Sequence, residues 1–134
     1  MKGLTVSLGD ETPLKAGGES YGDYSPPLRD VRKFKANNFF YTGSPNQPQA
    51  LAAFEQLDDG RQMGVLIFVA VVGNQLEVRS VGGLVDDSIY LNNKSVIKNL
   101  IWEPGIQASM HFEFDFRFEN IDYHLTGSLL LRFE

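Results

Sequence analysis

Alternating charged residues near the carboxyl end offer the strongest candidate chemistry in the sequence. They are His111, Glu113, Asp115 and Arg117. Because apolar residues separate them, they share one face of a predicted strand. Glu113 and Asp115 lie about 7 Å apart on such a strand, near the separation of paired carboxylates in glycoside hydrolases. His124, in the next predicted strand, adds a base near Asp115 and Arg117. We favour the simpler interpretation, a solvated charged face that discourages edge pairing.

Other catalytic and metal-binding patterns are weak. The nitrogen and oxygen groups of the charged face suit metal ions, but the predicted pairing places His111 and His124 too far apart to share one. Asp58-Asp59 and Asp86-Asp87 lack the spacing of a calcium loop. The glycine pairs precede no lysine-bearing helix, and no Gly-x-Ser-x-Gly turn occurs. We predict a protein that is not an enzyme, with no catalytic residue, metal or cofactor.

Composition excludes several classes of protein. The chain has no cysteine, which excludes disulfides, thiolate zinc sites and cysteine nucleophiles. A net charge of −5 argues against nucleic-acid binding. The longest apolar run, Val65 to Val72, is too short to span a bilayer, so no membrane contact is predicted. The first residues lack the apolar core of a signal peptide, so we expect cytoplasmic synthesis, with a virus particle as one destination.

Residues 9–28 form a long segment rich in Gly and Pro. Such a composition cannot bury a core of its own. We expect either a flexible loop or an extended arm that orders against a neighbouring subunit. The residues predicted to bind that partner are Tyr21, Tyr24, Leu28, Arg29 and Arg32, since aromatic and arginine side chains dominate interfaces.

Two further segments suggest ligands. Basic residues alternate with aromatic ones after Arg29, a pattern that can bind single-stranded nucleic acid. We favour a plain strand over Val31 to Lys35, with lysine tips in water. Aromatic platforms beside polar groups suit carbohydrate, and the candidate residues are Trp102, Tyr90, Tyr41 and Asn92.

The clearest elements are two hairpins. Val65 to Val72 predicts a central strand buried on both faces. A type II′ turn at Gly73-Asn74 would pair Val71 with Leu76 and Ile67 with Ser80. Alternating Phe residues from 112 to 118 predict one strand of a second hairpin. A turn at Asn120-Ile121 would pair Phe118 with Tyr123 and Phe114 with Gly127.

The remaining elements are short. Residues 2–8 predict a strand, and residues 88–97 a hairpin with its turn at Asn92-Asn93. Residues 49–57 fit one short helix, with a strand over residues 50–54 as the alternative. Glu103-Pro104-Gly105 predicts a tight turn.

These elements predict an all-β protein. The expected fold is a single antiparallel β-sandwich over residues 1–134, resembling a jelly-roll, with the long arm and at most one short helix. This architecture is similar in class to small all-β accessory proteins of viral particles. We therefore expect a structural or assembly protein, such as a decoration, tail or fibre-associated component, that forms homo-oligomers or larger assemblies. A carbohydrate-binding module or lectin is the alternative, and a small hydrolase built on Glu113 and Asp115 the third.

Overall fold

Antiparallel strands make up nearly all of the chain that the computed structural model describes, residues 13–92 and 94–133. In chain order they are β1 (Leu14–Lys15), β2 (Gly17–Leu28), β3 (Val31–Lys35), β4 (Asn38–Ser44), β5 (Gln47–Gln56), β6 (Gln62–Val72), β7 (Gln75–Val85), β8 (Ser88–Asn92), β9 (Ser95–Glu103), β10 (Gln107–Phe118) and β11 (Ile121–Arg132). They form a six-stranded sheet, β1-β4-β5-β6-β7-β8, and a five-stranded sheet, β3-β2-β11-β10-β9. The all-β class with two antiparallel sheets is confirmed, and it is consistent with a β-sandwich.

The core lies between the two sheets and is rich in aromatic residues. On β10 the inward side chains are those of alternate residues, from Ala108 to Phe118. Their odd-numbered neighbours point away from the core, as period-two alternation requires. We call this outward side of the five-stranded sheet the outer face. It carries the charged residues that alternate with the Phe side chains.

Strand β6 is buried on both faces from Gln62 to Ile67, but the end of the segment predicted to be buried is not, since Val72 is 47% exposed. Val65 and Ile67 face the core, whereas Leu66 belongs to a smaller cluster on the other side of the six-stranded sheet. The β6–β7 turn has positive φ at both Gly73 (54°) and Asn74 (69°), the pattern of a type I′ turn. The predicted type II′ turn is therefore wrong.

The predicted β6–β7 register holds only near the turn. Val71 pairs with Leu76 and Val69 with Val78, as expected. A β-bulge then shifts the register, so Ile67 pairs with Val81 instead of Ser80. The extra residue brings Val81 into the core between the sheets.

The β10–β11 turn lies one residue earlier than predicted, which shifts the pairing register by two residues. Glu119 and Asn120 have φ of 50° and 65°, so they form the turn. Phe118 pairs with Ile121 and Phe112 with Gly127. The β-branched Ile121 is a poor residue for positive φ, which the predicted turn would have required of a type I′ loop. A shift of two residues keeps every side chain on its predicted face.

The predicted helix over residues 49–57 is wrong, and the strand alternative is correct. The segment lies in β5, between β4 and β6. Its side chains alternate between the two faces of the sheet, with Ala53 facing the core and Ala52 facing the opposite side. Pairing with two neighbouring strands outweighs the high helix propensity of alanine here.

The predicted hairpin over residues 88–97 is also wrong. Strand β8 pairs with β7 in the six-stranded sheet, whereas β9 pairs with β10 in the other. The segment is thus a crossover between sheets. The turn after Glu103 is confirmed, with Gly105 at a φ of 79°.

The predicted arm differs from what is observed for most of its length. Gly17–Leu28 is strand β2, hydrogen-bonded to β11 over residues 17–25 and to β3 on its other side. Its inward positions include Tyr24 and Leu28, both buried. Small residues at the other inward positions conceal the alternation in the sequence. Residues 9–12, and the strand predicted over residues 2–8, lie outside the described residues.

Candidate ligand-binding face

The outer face collects polar side chains from all five strands of its sheet. Direct pairing sets five of them in one row across the strands: Lys35, Tyr21, Ser128, His111 and Lys98. The adjacent row is Lys33, Asp23, Thr126, Glu113 and Val96. At the usual strand separation each row spans about 19 Å.

A depression of about 280 Å³ lies across these rows. We call it the Tyr21 depression. It is lined by Tyr21, Asp23, Val96, Lys98, His111, Phe112, Glu113, Thr126 and Gly127. The side chain of Tyr21 is 55% exposed, and the ring also borders the two neighbouring depressions of this sheet. An exposed aromatic residue therefore lies on β2, where three depressions of the polar surface meet.

Two glycines that face each other set the distance between the backbones of β2 and β11 beneath this surface. Gly22 and Gly127 are direct partners. A Cβ on Gly127 would lie 2.0 Å from the carbonyl oxygen of Tyr21, and one on Gly22 would lie 2.4 Å from the Phe34 ring. No larger residue fits at either position without moving the backbone or the core.

A carboxylate–imidazole–carboxylate cluster lies beside the depression. Nδ1 of His124 is 2.5 Å from Oδ1 of Asp115, and Nε2 is 2.8 Å from Oε2 of Glu113. The hydrogen bond to Asp115 is the main cause that raises the pKa of His124 above its ordinary 6.5, and partial burial opposes it. When His124 is protonated, the cluster holds one positive charge between two negative ones.

The two carboxylates of this cluster do not have the arrangement of a glycoside hydrolase pair. Both carboxylates bind the same ring, so His124 occupies the space between them where a glycosidic bond would have to lie. Both ring nitrogens contact a carboxylate, so neither is open to ligate a metal ion in this arrangement. In the described part of the chain, no group of His, Cys, Asp and Glu is arranged to hold a metal ion.

The charges of the outer face nearly balance. Its lysines are Lys33, Lys35 and Lys98, and its carboxylates away from His124 include Glu19 and Asp23. Lys33 and Asp23 pair weakly at 3.6 Å. Hydroxyl, carboxylate, ammonium and imidazole groups thus offer donors and acceptors together. Such a surface suits a neutral ligand rich in hydroxyl groups better than a strongly charged one.

The residues predicted to bind a partner are dispersed. Of the five, Tyr21 alone lies in the depression. Tyr24 and Leu28 are buried between the sheets, and burial, with the nearby Glu55 carboxylate, raises the pKa of the Tyr24 hydroxyl. Arg29 forms an ion pair with Asp86. Arg32 is exposed near the end of the molecule where β2 turns into β3.

The residues predicted to bind carbohydrate do not form one site either. Trp102 pairs with Ala108 on β10 and packs edge-on against Phe133. Tyr90 packs against Phe118, at the other end of β10, about 30 Å away. Tyr41 is buried against Phe133. Asn92 ends β8 in the opposite sheet from Trp102.

Sequence reasoning missed most of the surface that the fold assembles. Thr126, Ser128 and Lys98 are ordinary polar residues of separate strands, and only the register of β9, β10 and β11 brings them together. Alternation could have assigned Thr126 and Ser128 to the polar side of their strand. It could not have placed β2 beside β11.

Comparison with known protein families, with curated proteins and with solved structures finds no match to this chain. Within residues 13–92 and 94–133, no helix is long and apolar enough to cross a membrane.

Proposed function

We propose that this chain is a non-enzymatic binding protein that holds a glycan on the outer face of its five-stranded sheet. The observation that carries the proposal is the exposed Tyr21, which borders a polar depression at its β2 side. An aromatic ring offers an apolar platform to the C–H face of a sugar. The surrounding groups can exchange hydrogen bonds with its hydroxyls.

The shape of the surface supports an extended ligand. The depression is shallow, and polar side chains continue beyond it on both sides of Tyr21. A chain of sugar units lying across the strands would meet Lys35, Tyr21 and His111 in turn. This proposal keeps the carbohydrate alternative suggested by the sequence but moves it from Trp102 to Tyr21.

A glycan array followed by calorimetry tests the proposal. Tyr21→Ala should weaken binding by about tenfold or more, as removal of a central aromatic contact does. Tyr21→Phe keeps the ring and should retain most of the affinity. Trp102 emission should not change on binding, because Trp102 lies on the inner side of its sheet. Absence of any bound glycan, or unaltered binding by Tyr21→Ala, would refute the proposal.

A second candidate function is that of a structural or assembly protein that binds other copies or a larger particle, such as a virion. Residues 17–28 no longer support it as an arm. Its support is the edge strand β9, where Val96, Leu100 and Ile101 are exposed. An apolar group of side chains at a sheet edge is typical of a protein contact.

The solution mass distinguishes the two candidates. Light scattering at several concentrations should show self-association if the chain assembles with itself. A monomer at every concentration would leave glycan binding as the better proposal.

A further inference from the structure

Strand β9 ends the five-stranded sheet, so one of its edges pairs with no other strand among the described residues. Val96 and Ile101 on this strand are 48% and 55% exposed. A long apolar edge is a template for pairing with another chain. We propose that this edge pairs antiparallel with the same edge of a second copy, so that two five-stranded sheets become one. The inference rests on the assembly function proposed above.

A bulge in β9 restricts the register of this pairing. Val96, Lys98, Ile101 and Glu103 all pair with outer-face residues of β10. The bulge adds a residue between Lys98 and Ile101. The outer face therefore carries even-numbered residues before the bulge and odd-numbered residues after it. A pairing that spans the bulge therefore has its twofold axis between two residues, because an axis through one residue would oppose outward side chains on one side of the bulge with inward side chains on the other.

An axis between Lys98 and Asn99 gives the best match. It sets Val96 opposite Ile101 of the second copy, with both side chains on the outer face. An axis between Asn99 and Leu100 would instead place Lys98 opposite Ile101 and Val96 opposite Glu103. Apolar side chains would then face charged ones.

The same register matches charges at the ends of the edge. Lys94 immediately precedes β9, and Glu103, which accepts a hydrogen bond from Gln107, is its last residue, so in this register each lysine would lie opposite the glutamate of the second copy. Opposite charges that face each other across strands stabilise the pair. Because a twofold interface uses the same surface twice, both the apolar pair and the charged pair occur twice.

Lys98 opposes the association. The two Lys98 side chains lie next to the axis, one from each copy, and like charges in that position destabilise a strand pair. The expected dimer is therefore weak and concentration-dependent. Replacing Lys98 with a neutral residue should strengthen it.

Cysteine crosslinking tests the register directly, since the chain has no cysteine of its own. Val96→Cys and Ile101→Cys are prepared as single variants and then oxidised in a mixture. The mixture should form a disulfide between the two variants. Neither variant alone should form a disulfide. The two copies of residue 96 lie roughly 16 Å apart in this register, and so do the two copies of residue 101. Ile121→Cys, another exposed position, is the control and should not crosslink to Val96→Cys.

Sedimentation velocity tests the association itself. Ile101→Lys should raise the dissociation constant by about tenfold or more, and Lys98→Gln should lower it. Ile121→Lys is the matched control and should change nothing. A dimer that survives Ile101→Lys and gives no crosslink between positions 96 and 101 would overturn this inference but keep the assembly function. A monomer at every concentration would overturn both the inference and self-assembly.

Discussion

Asp115 and Glu113 bind opposite nitrogens of the His124 ring, at 2.5 Å and 2.8 Å. A neutral imidazole has one N–H and can donate to only one of them. The protonated ring donates to both. The two carboxylates therefore favour the imidazolium form, which couples the protonation of His124 to the pairing of β10 with β11.

This coupling predicts that stability falls as pH rises through the His124 titration. The pKa of His124 is raised, chiefly by the hydrogen bond to Asp115. Its stabilisation is fully present below the ordinary pKa of 6.5 and is lost as the pH passes the raised value. His124 is 43% exposed, so the loss should stay below about 1 kcal/mol. NMR titration of the ring and urea unfolding at several pH values measure the two effects.

Two variants separate this cluster from ordinary surface charge. Asp115→Asn should lower the pKa of His124 and flatten the pH dependence of unfolding. Asp122→Asn removes an exposed carboxylate that lies 3.8 Å from Arg117, and it should leave the His124 titration unchanged. Equal effects of the two substitutions would contradict the assignment.

The close approach of β2 and β11 predicts a large cost for Gly127→Ala. The new Cβ would lie 2.0 Å from the Tyr21 carbonyl oxygen and 2.8 Å from the Gly22 Cα, and neither backbone atom can rotate away. The free energy of unfolding should fall by about 1–3 kcal/mol. Chemical denaturation measures it, with Ser128→Ala on the same strand as the control. An unaltered midpoint for Gly127→Ala would show that the two strands are farther apart.

The β10–β11 turn gives a test of the register. Glu119 and Asn120 both have positive φ, so the pair Glu119→Asn and Asn120→Gly should stabilise the hairpin by about 0.5–1 kcal/mol. Ile121→Gly should destabilise it, because residue 121 is part of the strand. Thermal unfolding measures both variants. If Ile121→Gly were the stabilising one, the turn would lie at Asn120 and Ile121.

The parts of the fold that were predicted correctly are those with local patterns. The alternation from Phe112 to Phe118 and the apolar run after Val65 each define a strand and its faces without reference to the rest of the chain. The exact register depends on a turn and a bulge, which involve single residues such as Glu119. Alternation alone is unchanged by a shift of two residues, so it could not detect the difference.

The parts that were missed depend on distant partners. Strand β2 has Ser20 and Gly22 at inward positions, and its main partner β11 is about a hundred residues away along the chain. The outer face around Tyr21 exists only once this pairing is made. Its residues could be assigned to the polar side of their strands, but no spacing in the sequence predicts that Tyr21 and His111 share a row.

Arg29 and Arg32 were predicted to play the same role, yet the structure separates them. Arg29 donates to Asp86 at 2.9 Å, and its guanidinium lies 5.0 Å from the Phe118 ring centre. Asp86 follows β7 in the other sheet, so this contact links the two sheets at one end. Arg29→Ala should lower the free energy of unfolding by about 1 kcal/mol, from the ion pair and the ring contact together. Arg32→Ala should leave the unfolding midpoint unchanged, since that side chain is exposed. Equal midpoints for the two variants would show that the Arg29–Asp86 contact does not stabilise the fold, and Arg29 would then be available for a partner as the sequence suggested.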